Sequence, residues 1–329
     1  MKIFMSMLAL LGAVSGHEQL HAKWSAYKVE HGKSYPSHLE GTRLEAFTTN
    51  LRHIQEHNVR FARGEESYEL GLNALSDLSH EEIRATRFGA TSQAALPEMV
   101  NATEHVMMPS AGYIDWRGRA VSAVKDQGAC GSCYTFSAAG AIESALMVKG
   151  LGEADLSEQQ LVDCTFHKFS KSRYNLGCDG GVPAFTMQFA IDSGISPERI
   201  YKYVSGSSMT NSQCKMTGYE RSLRNLKLYR VPTDEDALAN ALARGPISVS
   251  LNGENMEFYN YKSGIYNNPK CSTQINHAVL LVGYGQENGQ EYWVIKNSWG
   301  PSWGENGFMK LAKGYNRCGI VSEASYYVY

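Results

Sequence analysis

Apolar positions in the first quarter of the chain follow a helical period. Leu44, Phe47, Leu51, Ile54 and Phe61 recur at spacings of three and four, or their sums, and so share one helix face. Residues 17–64 as a whole read as helical. Residues 89–112 are rich in Gly, Ala, Ser, Thr and Pro, lack any period and read as a linker. Phe136, Ala139, Ile142 and Leu146 then form a stripe that predicts a helix over 133–149, stopped by Gly150. Ser157 with Gln160 makes a capping box before Leu161 and Val162. Thr233 is placed to cap a helix through Ala243, closed by Gly245-Pro246. Strand-like apolar runs follow at 246–251, 277–284, 291–296 and 307–311, with Asn288-Gly289 as a hairpin turn. Helices first and strands later predict an α+β protein.

The N-terminus changes the compartment. Lys2, the apolar run Ile3–Val14 and the small pair Ser15-Gly16 form a secretory signal pattern over residues 1–16. The run is shorter than the roughly 20 residues that span a bilayer. No later stretch is long and apolar enough to do so. Export makes disulfides plausible and gives meaning to the glycosylation acceptor Asn101-Ala102-Thr103.

Charge then narrows the partners. Lys and Arg number 31 against 33 Asp and Glu, which argues against a nucleic-acid binder. All seven cysteines lie from Cys130 onward, and eight of the ten histidines lie before residue 106. An odd cysteine count in an exported chain leaves a thiol over.

Cys130-Gly131-Ser132-Cys133 is a C-x-x-C motif open to three readings: half a zinc site, a redox dithiol, or a nucleophile. Zinc lacks a second close ligand pair, and the flanks lack a thioredoxin-like strand–turn–helix. Cys133 opens the predicted helix, where the positive end of the macrodipole favours thiolate. A thiolate needs a base for acyl transfer. Only His167 and His277 follow it. His167 sits in a polar stretch, whereas His277 begins a strand. The Asn288-Gly289 hairpin places His277 opposite the neighbourhood of Gly300, which includes Asn297 and Trp299. Histidine and an orienting amide thus fall in one neighbourhood, and cysteine, histidine and amide can be placed in one constellation, although spacing does not prove the Cys133–His277 contact.

At these residues the chain resembles the papain family of cysteine proteases. Gln127-Gly128-Ala129-Cys130-Gly131-Ser132-Cys133-Tyr134 carries that family's C-G-[SA]-C-[WY] signature. Asn276-His277-Ala278-Val279 resembles its histidine strand, and Asn297-Ser298-Trp299-Gly300 its asparagine segment. Arg43, Phe47, Asn50, Ile54 and Asn58 resemble the prosegment helix of the cathepsin L group. Gly71, Asn73, Leu75 and Asp77 resemble the motif that follows it, with Leu75 in place of Phe. Leu39 stands where Glu is usual, and Glu40 is placed to reach Arg43 instead. Tyr134 stands where most of the family has Trp.

The resemblance implies a two-lobed fold, one lobe helical and one an antiparallel β-barrel, behind a helical prosegment over 17–108. The mature part would be 109–329. Cys133 would be the nucleophile and His277 its base. Asn297 would orient the ring under Trp299, and Gln127 would complete the oxyanion hole. Disulfides Cys130–Cys178, Cys164–Cys214 and Cys271–Cys318 would leave Cys133 free. Gly180 and Gly181 would pair with the substrate backbone. Val182, Pro183, Ser250, Ile275, Ala278 and Glu323 would line the pocket for the substrate residue next-but-one to the scissile bond. That pocket implies Leu, Val or Phe, and also Arg when Glu323 is ionised. The resemblance implies a monomeric endopeptidase, secreted or lysosomal, without cofactor or metal. Its partners would be protein and peptide substrates, its own prosegment and cystatin-type inhibitors. The rival functions are a catalytically silent binding homologue and a secreted thiol oxidoreductase. The stretch between Cys164 and Cys178 is longer than in close relatives, with Lys168, Lys171 and Arg173 available for a contact. Residues 17–108 carry a formal charge of −4 and eight histidines, so full histidine protonation would take them to +4. That reversal is expected to loosen the prosegment in acid.

Overall fold

The computed structural model describes residues 16–91, 100–101, 112–152, 154–166, 175–323 and 325–328. The proposed signal run, His105, His167, the 108/109 junction and the extra Lys168, Lys171 and Arg173 lie outside them. Asn101 is described only by its backbone.

The N-terminal helical region is two helices rather than one, Gly16–Glu30 and Ser37–Ala62. The break falls at 31–36 because Gly32 turns with φ +61° and Pro36 holds the chain extended before the second helix. The two helices clasp Trp24, Tyr27 and Phe47 in a small aromatic core. Asp77 accepts hydrogen bonds from Tyr27 and Tyr35 and pairs with Lys33 at 3.2 Å. The expected Glu40–Arg43 pair does not form. Glu40 accepts from Trp24 Nε1 at 2.7 Å and pairs with Lys28, while Arg43 reaches Glu82 at 2.8 Å. Helix 16–30 packs close enough to offer Glu40 the indole donor, which a surface i,i+3 pair cannot match.

Ten strands are described: β1 (Tyr68–Leu70), β2 (Val100–Asn101), β3 (Ile114–Asp115), β4 (Leu228–Val231), β5 (Ile247–Leu251), β6 (Tyr261–Tyr266), β7 (His277–Glu287), β8 (Gln290–Lys296), β9 (Phe308–Ala312) and β10 (Ser325–Val328). They join in the order β1-β6-β9-β8-β7-β5-β10-β4-β2, with β3 added to β7. Most pairs are antiparallel, but β6–β9 and β2–β4 are parallel, which the barrel expectation did not include. The N-terminal region thus contributes β1, an edge strand on β6, and β2, at the other edge on β4.

One hydrophobic core lies within the sheet lobe around Trp293, Ile295, Met309 and Leu311. A second joins helix Cys133–Val148 to helix Pro183–Ser193 through Ile142, Leu146 and Met187. Helix 133–148 is buried almost all round, which is why its stripe is broad and its polar residues are few. Lys125 pairs with Glu143 of helix 133–148 at 3.1 Å and with Glu158 at 2.8 Å, both carboxylates being buried. Ser157 caps helix Glu158–Cys164 as expected, although Gln160 turns its own oxygen to the Ser196 N–H. The helix expected from Thr233 is capped by Asp234 instead, whose carboxylate accepts from Ala237 N–H at 2.7 Å. An aspartate at this position also favours the helix dipole.

Candidate active site

Cys133 is the first residue of its helix, and its thiol is fully buried. It is the free cysteine. Cys130 is joined to Cys178, Cys164 to Cys214 and Cys271 to Cys318. Cys130 is therefore no partner for a redox dithiol with Cys133. Among the described residues no group of His, Cys, Asp and Glu forms a metal site.

His277 opens β7 and lies opposite Leu251 of β5. Near the turn β7 and β8 pair as the hairpin predicts, Tyr284 opposite Trp293. A bulge between Leu281 and Gly283 then slips the register by one. Beyond the ladder, His277 Nε2 lies 2.8 Å from Asn297 Oδ1. Trp299 stacks on the imidazole at 4.8 Å between centroids and covers that bond. The other ring nitrogen, Nδ1, is buried without a hydrogen-bond partner. Cys133 packs against Ala278, the residue that follows His277 along β7.

Gln127 is buried beside them. Its Nε2 donates to Cys130 O at 2.8 Å and to Arg87 O at 3.0 Å. Ser298 Oγ donates to Gln127 Oε1 at 2.7 Å and so orients the amide. Sequence reasoning missed Ser298, although its place beside Asn297 was a signal. It also missed Tyr203, whose hydroxyl donates to Gln127 O and meets Ser132 Oγ at 2.7 Å.

The cleft is filled by the protein's own chain. A capping box at Ser79 and Glu82 starts helix His80–Arg87. Its end delivers Phe88–Thr91 across the cleft, so the first residues of the expected linker are docked. Arg87 pairs with Asp126 at 2.9 Å. Phe88 sits edge-on to His277 and Trp299. Gly181 N–H donates to Gly89 O at 2.7 Å, and Thr91 N–H to Gly181 O at 3.1 Å. Ala90 packs against Cys133, Ala278 and Ile275. Val182 is buried in the helical lobe, Ser250 lies opposite Ala278 in the ladder, and Glu323 is half-buried.

Burial decides the charge state. It pushes the Cys133 thiol up to about 11, opposed by backbone N–H groups of Ala278, Gly89, Tyr134 and Ala90. It pushes His277 down to about 4, opposed by the Asn297 bond. The covered pair is a neutral thiol and a neutral imidazole, not an ion pair. The Gly89 and Ala90 N–H groups both donate to Asn276 O at 3.0 Å, while the carbonyl oxygens of Arg87 and Gly89 accept from Gln127 and Gly181.

Residues 110–328 match the papain family cysteine proteases, and residues 24–83 match the cathepsin propeptide inhibitor domain (I29). The chain belongs to the papain family of cysteine proteases. It is 37% identical to cathepsin L of Sarcophaga peregrina over 98% of this chain and 97% of that protein. It is also 37% identical to human cathepsin L2 over 97% of this chain and 96% of that one. Among solved structures, a digestive procathepsin L 3 from Tenebrio molitor larval midgut superimposes with a TM-score of 0.83 at 35% identity. That match covers 94% of this chain and 98% of the other. This chain is thus a cathepsin L-like cysteine endopeptidase with its inhibitory propeptide in place. No helix among the described residues is long and apolar enough to cross a membrane.

Proposed function

We propose that Cys133, His277, Asn297 and Gln127 carry out peptide hydrolysis once Phe88–Thr91 leaves the cleft. The single observation behind this is the His277–Asn297 bond under Trp299, in a chain whose free thiol is buried at a helix N-terminus against the residue after His277. Release of the prosegment rehydrates the thiol and the ring. His277 then takes the thiol proton, giving a thiolate and an imidazolium that stabilise one another. The thiolate attacks the scissile carbonyl carbon. Gln127 Nε2, freed from Arg87 O, and the Cys133 backbone N–H receive the developing oxyanion. The imidazolium gives its proton to the leaving amine, and water cleaves the resulting thioester with His277 as base. Labelling of the acid-activated protein with a peptidyl epoxide tests these roles. Modification of Cys133 alone, with loss of hydrolysis, is expected. Labelling elsewhere, or hydrolysis that persists after Cys133 is modified, contradicts them.

The cut that releases the mature enzyme is assigned near residues 106–110, leaving about 221 residues. Gly181 binds the substrate backbone, as it binds Gly89 and Thr91 here, and Gly180 lies against the same stretch of chain. Ile275 and Ala278 begin the selectivity pocket, since Ala90 packs there, and Val182, Pro183 and Ser250 extend it. Glu323 gives it an acidic end. Glu323→Ala is expected to lower turnover of an Arg dipeptide substrate about tenfold, or about 1.4 kcal/mol, while Leu turnover holds. An equal change in both dismisses the acidic end. Export to a secreted or lysosomal destination follows from the signal pattern. Glycosylation at Asn101, a monomeric state and blockage by cystatin-type inhibitors belong to the same proposal.

A carboxylate offers a second acid trigger beside the histidine charge reversal. His53 lies 3.5 Å from Glu257 and His80 3.7 Å from Glu254, both carboxylates being outside the prosegment. Burial raises the Glu257 carboxyl, but the His53 bond and its own backbone N–H outweigh that, and its pKa lies below the usual 4.5. A carboxylate with a depressed folded value stabilises the docked state above its ordinary range and loses that as pH falls through the folded value. By this second trigger self-processing is expected to begin below about pH 4.5, not near the histidine range of about 6.5. Glu257→Gln should move the onset upward. An onset that follows histidine titration, or that ignores Glu257→Gln, rejects this account.

A further inference from the structure

The residue after the nucleophile, Tyr134, does something its neighbours do not. Its side chain is fully buried, and its hydroxyl donates to Gly177 O at 3.0 Å. Gly177 begins the short turn Gly177–Asp179 that leads into Gly180 and Gly181. The tyrosine ring also lies directly under Gly181. A Cβ on Gly181 would come within 2.7 Å of Tyr134 Cε2 and 2.6 Å of Asn175 Oδ1. Asn175 is equally buried. Its Oδ1 accepts from Val182 N–H at 2.8 Å, and its Nδ2 donates to Thr165 Oγ1 at 2.9 Å and Thr186 Oγ1 at 2.8 Å. The edge formed by residues 177–182 is thus held from beneath at both ends.

That edge is where an extended chain hydrogen-bonds in the cleft, as Gly89 and Thr91 demonstrate through Gly181. The Cys130–Cys178 disulfide ties its start to the nucleophile segment. Tyr134 ties it a second time, from the helix that carries Cys133. We infer that Tyr134 and Asn175 are positioning residues that set the place of the substrate backbone relative to the Cys133 sulfur. The inference rests on the proposed roles of Cys133 and Gly181. Neither side chain touches the reacting atoms. Tyr134→Phe keeps the ring under Gly181 and deletes the hydroxyl's bonds to Thr165 and to Gly177 O, whose other partner is a long 3.5 Å contact from Gly180 N–H.

The test uses the full chain, acid-activated and titrated with a peptidyl epoxide so that rates refer to active sites only. Two substrates are compared. One is a peptide amide that spans Gly181, and the other is p-nitrophenyl acetate, whose acetyl group ends short of it. Tyr134→Phe is expected to raise KM for the peptide about fivefold, the scale of one neutral hydrogen bond, with kcat within about twofold. The acetate should react as with the wild type. Asn175→Ala should show the same split, with a larger rise in KM. An unchanged peptide KM, or an equal loss on both substrates, overturns the inference. A separate Cys133→Ala control that still hydrolysed either substrate would instead strike at the site assignment.

Discussion

In the intact zymogen at pH 7, Cys133 should react with iodoacetamide at least about a thousandfold more slowly than in the processed enzyme. Two effects act together. Burial raises the thiol to about 11. At pH 7 only about one such thiol in ten thousand is ionised, and the thiolate is the nucleophile. Burial also lowers His277 to about 4, so no imidazolium stands beside the sulfur to offset this. Both shifts arise from the same cover, because Ala90 packs on the thiol and Phe88 on the ring. The zymogen rate should rise about tenfold per pH unit toward pH 11, since each unit multiplies the thiolate fraction by ten. The processed enzyme should instead hold a nearly flat rate through neutral pH. Equal rates in the two forms, or a flat zymogen profile, would show that the prosegment blocks substrate without changing the charge state.

Gly89→Ala should abolish much of that latency. A Cβ on Gly89 would lie 1.8 Å from Gly131 O and 2.6 Å from Gly131 C. Both are backbone atoms of the nucleophile segment, whose N–H is already bonded to Cys178 O at 2.9 Å. The opposite side is closed as well, since a Cβ on Gly180 would fall 2.5 Å from Gly89 O. Gly89 thus lies between Gly131 and Gly180 at a separation that only glycine permits. Overpacking of this kind costs about 1–3 kcal/mol, so docking at the cleft should weaken about tenfold to a hundredfold. The measurement is the rate of epoxide labelling of Cys133 in the uncleaved chain at neutral pH. Thr91→Ala is the control, because Thr91 is exposed and contributes to the cleft through its backbone. Labelling of Gly89→Ala no faster than that of Thr91→Ala would mean that the backbone yields and the close approach carries no latency.

Much of the catalytic neighbourhood was legible before any coordinates. Helix 133–148 is marked by its apolar stripe and by Gly150, and its first residue is the free cysteine. The Asn288-Gly289 turn brings His277 toward Asn297 because a two-residue hairpin leaves little freedom of register. The bulge at Leu281 and Gly283 moved that register by only one. Elsewhere local signals lost to packing. The Ser37–Ala62 stripe did not reveal the break at 31–36, since a helix face continues its period only by chance across a turn. Glu40 ignored Arg43 because Trp24, distant in sequence, offered a better-placed donor. Strand β6 went unread because Lys262, Ser263 and Gly264 interrupt its apolar pattern, and it is defined by β1 and β9 on either side.

The sequence by itself determined the chemistry of the site. It supplied an odd thiol at a helix start, one strand histidine, an amide within reach, and a helical segment ahead of them that contains no cysteine. These are local facts of composition, period and turn length, and short-range backbone geometry suffices to express them. Only the tertiary structure decided the state of that site. Phe88–Thr91 lies in a stretch with no period and no side-chain signature, and it holds the cleft through backbone hydrogen bonds and one close glycine contact. Such contacts depend on where two distant segments meet, and so do the burial that neutralises Cys133 and His277 and the support of Tyr134 beneath Gly181. Desolvation is a property of the assembled surroundings, which is why the same residues that spell an active protease form, in the folded zymogen, a silent one.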